Sequence, residues 1–278
     1  MTPPAAGRFA KESLQTSHGT LAYRRVGVRR PERLLLLHGL PASSYLWRHV
    51  MPALAKRFDT IALDLLGFGD SEKPAGESYR LAAHAERVRE FLDEVHWDSC
   101  TVVGHDVGGG IASLLAGRHA EVVERLVLIG TICYDNFPVP AIARLQEAEH
   151  EARVLDGGLA APFRRAFDRG MVAAKLPDDD LAEYVRPFQG HDGRVAYLRA
   201  LQELDTHDWM RERSRIEHFP RPCLVVWGEE DAFLAPEHGQ RLAGAMSDAH
   251  FVGVPNCGHY VPEDQPDALT RHVLEFVT

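Results

Sequence analysis

Three side chains able to act as nucleophile, base and base-orienting acid each lie just past an apolar run. Asp106 stands in Gly104-His105-Asp106-Val107-Gly108-Gly109, Asp231 in Trp227-Gly228-Glu229-Glu230-Asp231, and His259 in Pro255-Asn256-Cys257-Gly258-His259-Tyr260. A carboxylate is a weak base but a usable nucleophile toward an sp3 carbon that carries a leaving group. A histidine oriented by a second carboxylate is a base for water. A sharp strand-to-helix turn strains its central residue, and the glycines around Asp106 leave room for close backbone approach. The Val107 N–H then points from a helix N-terminus at the place the Asp106 side chain occupies. A second N–H donor is expected from the loop His38-Gly39-Leu40-Pro41, at Leu40, completing an oxyanion hole.

Those turns need strands to end on. Short apolar runs at 34–38, 60–64, 101–105 and 125–130 read as buried strands. Helical periods fall between them, at 44–58, 79–95 and from 111 onward. Strands alternating with helices imply a mostly parallel sheet covered on both faces. The pattern changes at 135–220, where helical periodicity is broken by Asp/Gly-rich stretches at 156–158 and 177–180 and no buried strand is evident. Strand signals return at 223–228 and 249–254, and an amphipathic helix closes the chain. The economical architecture is a core of residues 1–134 and 221–278 with a helical insertion, 135–220, over the carboxyl ends of the strands, where open α/β sheets bind ligands.

Composition narrows the function. The 278 residues carry a formal net charge of -9, which repels nucleic acid and anionic membrane alike. No basic-then-apolar leader and no run long enough to span a bilayer occurs, so a cytoplasmic protein is expected, monomer or homodimer. Cys100, Cys133, Cys223 and Cys257 form no CxxC pair and read as buried thiols.

The stretches HGLPASSYLWRHVMPAL, DLLGFGDSEKP, GHDVGG, VVWGEED and CGHYVPEDQPD, in this order along almost the whole chain, resemble the α/β-hydrolases, and within them the branch of epoxide hydrolases and haloalkane dehalogenases. The resemblance implies an α/β-hydrolase fold with a helical cap. It implies a nucleophile–acid–histidine set of Asp106, Asp231 and His259, with Leu40 and Val107 as the oxyanion hole. It implies no cofactor and no metal, and a small apolar organic substrate. Attack by Asp106 would give an alkyl ester, which water activated by His259 would then hydrolyse. Asp135 is the alternative acid, because some members of this branch place theirs after the preceding strand.

The leaving group follows from departures. Dehalogenases of the branch hold halide with a Trp directly after the nucleophile and an Asn or Trp elsewhere; Val107 and Leu40 offer no side-chain donor. The fluoroacetate variant would want an Arg at position 107. Epoxide hydrolases instead use acidic donors, usually two cap tyrosines, to protonate the opening ring. Tyr184 and Tyr197 are the candidates, with Tyr134 at the edge of the insertion. Epoxide opening is therefore the first reading and dehalogenation the second. Outside hydrolysis, Asp106 and His259 could serve as acid and base in a lyase, isomerase or cyclase, or the pocket could bind a small signal without turnover. Each residue also has a bland role: Asp106 as a helix cap, Asp231 as a turn residue, His259 as a solvated helix start, Tyr184 and Tyr197 as packing. His38 and His105 read as structural, and Trp47 as either pocket or packing.

Overall fold

The apolar runs become strands in the computed structural model, which describes residues 9–27, 30–145 and 154–278. A hairpin of β1 (Lys11–Thr16) and β2 (Gly19–Val26) comes first. Then follow β3 (Arg33–Leu37), β4 (Asp59–Leu63), β5 (Cys100–His105), β6 (Val123–Ile129), β7 (Cys223–Gly228) and β8 (Ala249–Val254). They form one sheet in the order β1-β2-β4-β3-β5-β6-β7-β8. β2 runs antiparallel to both neighbours, and all other pairs are parallel. Every residue of β4, β5 and β7 is buried. That is why these strands read as unbroken apolar runs: helices cover both faces of the sheet. The hairpin has no counterpart among the strands expected from the sequence. β1, KESLQT, is an edge strand with mostly exposed residues, so it carries no apolar signature.

The principal helices of the core are α1 (Met51–Leu54), α2 (Leu81–Glu94) and α3 (Val107–Arg118). Between β6 and β7 the chain is helical: α4 (Pro140–Leu145), α5 (Ala160–Gly170), α6 (Asp178–Val185), α7 (His191–Glu203) and α8 (His207–Glu217). No strand interrupts them among the described residues. α6 opens with Asp178, Asp179 and Asp180, negative charge placed at the positive end of its dipole. α9 (Pro236–Ala245), the short α10 (Val261–Asp264) and α11 (Pro266–Val277) complete the core. The single helix expected over 44–58 is instead a 3-10 turn, Ser44–Trp47, followed by α1. Pro52 has no N–H to give to the Arg48 carbonyl, so a continuous helix would lose that bond and clash there.

β4 and β5 flank β3 on opposite sides, so the connections after β3 and β5 diverge. This switch point opens a crevice at the carboxyl ends of β3 and β5. Leu40 follows the first strand and Asp106 the second. All four cysteines are buried and free.

Candidate active site

Asp106 joins β5 to α3 with φ 53° and ψ -118°, a conformation that disfavours a side chain. The turn is too tight for any residue but glycine at 104, where a Cβ would lie 2.4 Å from the Gly108 carbonyl oxygen. Gly39 is equally constrained, since a Cβ there would lie 2.5 Å from the Asp106 side chain. That close approach brings the Leu40 N–H to the carboxylate, donating to Oδ2 at 2.8 Å. The Val107 N–H donates to the same carboxylate. Both expected donors thus converge on Asp106.

His259 and Asp231 complete the constellation. His259 Nδ1 lies 2.8 Å from Asp231 Oδ2. Asp231 Oδ1 accepts the N–H groups of Phe233 at 2.8 Å and Leu234 at 2.9 Å, which fixes the carboxylate. A carboxylate at Nδ1 makes that nitrogen the donor and leaves a lone pair on Nε2. Nε2 is 4.0 Å from Asp106 Oδ1, too far for a hydrogen bond. His105, behind the nucleophile, donates from Nε2 to the His259 carbonyl at 3.0 Å. Asp135 takes no part: its side chain is 84% exposed and 3.8 Å from Arg241. The structure therefore gives Asp231, not Asp135, to His259.

Burial sets the proton affinities and the partners redirect them. Burial raises the Asp106 pKa, and although the His259 charge and the Leu40 and Val107 N–H groups oppose it, the result stays above the usual carboxylate range. Burial favours neutral His259, but the charges of Asp231 and Asp106 and the Asp231 bond outweigh it and raise its pKa. Asp231 moves the other way: burial pushes it up, and the His259 charge and hydrogen bond with the Leu234 and Phe233 N–H groups bring it below the ordinary value.

A cavity of about 660 Å³ lies over Asp106 and His259. Its wall is largely apolar, with Leu40, Phe137, Ile142 and Phe163 among its residues, and Arg165, Asp168 and Arg169 of α5 also reach it. The tyrosines expected as proton donors divide. Tyr197, on α7, lines the cavity. Tyr184 does not: its hydroxyl donates to Glu263 and lies 3.4 Å from Arg48 Nη1, in a buried ionic cluster. This corrects the expectation for Tyr184, because a hydroxyl satisfied by a buried carboxylate is not free to serve a substrate. Tyr134 is likewise occupied, donating to Glu217 at 3.0 Å. Trp47 packs in the core, fully buried. Sequence reasoning missed Tyr260, which lines the cavity beside His259; its place directly after the histidine was the available signal.

A family model described as the alpha/beta hydrolase fold matches residues 32–266. A soluble epoxide hydrolase of Corynebacterium sp. is 31% identical over 268 residues, covering 87% of this chain and 89% of the relative. A haloalkane dehalogenase of Bradyrhizobium diazoefficiens is 27% identical over 282 residues, covering 93% and 91%. Among solved structures, an alpha/beta hydrolase fold protein from Burkholderia ambifaria superposes with a TM-score of 0.86 at 27% identity, covering 95% of this chain and 97% of that one. A haloalkane dehalogenase from Bradyrhizobium elkani gives a TM-score of 0.84 at 26% identity, covering 97% and 98%. Fold, motif order and these likenesses agree: the chain belongs to the α/β-hydrolase family, in the branch of epoxide hydrolases and haloalkane dehalogenases.

Proposed function

We propose that this hydrolase opens epoxides to diols through a covalent ester on Asp106, with residues 135–220 as the cap over the site. The observation that carries the reading is the 4.0 Å gap between Asp106 Oδ1 and His259 Nε2 under an apolar cavity. The base does not bond to the nucleophile, as it would if it had to deprotonate it. It stands instead where it can serve a water directed at the ester.

In the first step Asp106 Oδ1 attacks an epoxide carbon, the C–O bond of the ring breaks, and the ring oxygen takes a proton from Tyr197. In the second, water attacks the Asp106 carboxyl carbon and gives a proton to His259, while the Leu40 and Val107 N–H groups hold the oxyanion. Collapse releases the diol with the former Asp106 oxygen, whose proton comes from the carboxyl group. The histidinium returns its proton to Tyr197. Asp231 holds His259 in the tautomer this requires.

The test is the intact mass of His259→Gln after incubation with styrene oxide. The variant should accumulate an adduct of one substrate mass, and the adduct should vanish when Asp106→Ala is added. An unmodified His259→Gln protein, under conditions where the wild type forms diol, would replace the covalent reading with acid–base chemistry.

A further inference from the structure

The helix α5 carries three arginines, and they are used differently. Arg164 is taken by protein groups: it donates to the Leu176 carbonyl at 2.6 Å, pairs with Asp178 and lies 3.7 Å from Asp168. Arg165 and Arg169 line the cavity over Asp106 instead. Among the described residues neither has a carboxylate partner. With Pro162 and Ala166, also in the cavity wall, they follow the i, i+3, i+4, i+7 spacing of one helix face. Like charges one turn apart destabilise a helix. The chain has 40 acidic against 31 basic residues, so carboxylates to pair them were not scarce. A local conflict left unrelieved on a cavity wall is the kind that marks a functional site.

Arg169 is held in place. Its Nη2 donates to the Ala232 carbonyl at 3.0 Å, and its guanidinium lies 5.1 Å from the Phe233 ring centroid. Ala232 and Phe233 directly follow Asp231, so this guanidinium is fixed against the loop that carries the acid of His259. It has N–H groups to spare beyond that one bond. Arg165, one turn earlier, makes no side-chain hydrogen bond among the described residues. Asp168 also reaches the cavity, but Arg164 stands beside it, so two unpaired cations outweigh one partnered carboxylate at this rim. Asp106 and His259 are buried, whereas Arg165 and Arg169 are exposed. The rim on α5 is therefore the solvent end of the cavity and Asp106 its floor. The rest of the wall is largely apolar, with Phe137, Ile142 and Phe163.

A nucleophile at the floor, an apolar wall and cations at the mouth suit a substrate with one charged end. We infer that Arg165 and Arg169 bind a carboxylate at the far end of the substrate, and that the enzyme prefers epoxides whose apolar chain ends in that group. The inference rests on Asp106 as the nucleophile, which decides which end of the substrate enters first. A guanidinium suits the role because its planar fork matches the two carboxylate oxygens. The carboxylate stays at the mouth in contact with water, so binding buries the chain and not the charge. A substrate entering the other way round meets the like charge of Asp106. The two arginines thus orient the epoxide as well as hold its chain. Ring opening and ester hydrolysis proceed as above, and the product is a dihydroxy acid.

The experiment measures kcat/KM for diol formation from the ω-epoxides of heptanoate, nonanoate and undecanoate, each against its own methyl ester. It uses the wild type, Arg165→Ala and the double variant Arg165→Ala with Arg169→Gln. The wild type should prefer at least one acid over its ester by about tenfold or more at low salt, the scale of hydrogen bonds to a charged group. That preference should shrink as sodium chloride is added, because the rim is exposed. It should fall several-fold in Arg165→Ala and disappear in the double variant. The acid-to-ester ratio cancels any general loss of activity in a variant. Wild type that opens the esters as fast as the acids at every chain length would overturn the carboxylate site alone. A preference that survives in the variants would do the same. Should the double variant fail to fold, Arg165→Ala, a change at an exposed side chain, decides together with the salt dependence of the wild type. If His259→Gln forms no ester with any of these compounds or with styrene oxide, the Asp106 reading fails and takes the orientation of the substrate with it.

Discussion

At the scale of single residues, the proposed mechanism gives Asp231, which touches His259 and not the substrate, control of the second half-reaction. Its Oδ1 is held by two backbone N–H groups and its Oδ2 by His259. Asp231→Asn keeps the shape but offers an amide that can present a donor to Nδ1, favouring the wrong tautomer. Ester hydrolysis should then slow by roughly 10³–10⁴-fold with ring opening far less affected. Rapid-quench single turnovers that resolve the two steps check this, and equal losses in both would refute the assignment. The pH dependence is also a residue property. Asp106 must be ionised to attack, and its pKa is raised by burial. Ring opening is thus full above that pKa and falls as pH drops through it, at a pH above the ordinary aspartate value of about 3.9. His259 must be neutral to take a proton from water, and its pKa is raised above 6.5. Ester hydrolysis therefore falls as pH drops through the His259 pKa, which the ester lowers from its free-enzyme position by removing the Asp106 charge. Rates of the two steps measured across pH should each show one acid limb, and a step whose rate stays flat as pH falls would refute the role given to its residue.

At the scale of elements, the site is hung from strand ends and locked by a cluster outside the cavity. Arg48 follows the turn at Ser44–Trp47, Asp180 and Tyr184 lie on α6, and Glu263 lies on α10, four residues past His259. Arg48 binds Glu263 through both of its terminal nitrogens and Asp180 at 2.8 Å, and Tyr45 donates to Asp180 at 2.7 Å. The Arg48 and Glu263 side chains are each 3% exposed, so Glu263 without Arg48 would be a buried charge with no cation beside it. Asp264, beside Glu263, accepts the N–H groups of Gly258, Val172 and Ala174, each at 2.8 Å. One short segment thus ties the histidine loop to the helices above it. Arg48→Met should cost about 3–5 kcal/mol in unfolding free energy, read from urea denaturation. A loss under about 1 kcal/mol, the range of surface pairs, would show that the cluster is not the lock described.

At the scale of the whole molecule, the cavity exists only where the carboxyl ends of β3, β5 and β8 meet α4, α5 and α7. Much of this was legible in the chain. The buried strands could be read because parallel strands covered on both faces are continuous apolar runs, as 101–105 and 223–228 show. Asp106, Asp231 and His259 could be read because each needs a particular turn just past such a run, and turn chemistry is local. β1 could not, being a polar edge strand, nor could the break before Pro52 in an otherwise periodic segment. The sequence by itself determined the parallel strands of the sheet, the order of the chemical groups and the turn that strains Asp106. Only the tertiary structure decided that Asp231 rather than Asp135 reaches His259, that Tyr184 is spent on Glu263, and that Tyr260 faces the cavity. The reason is physical: a hydroxyl or carboxylate points wherever its packing and its partners leave room, and for these side chains the partners lie tens of residues away in the chain.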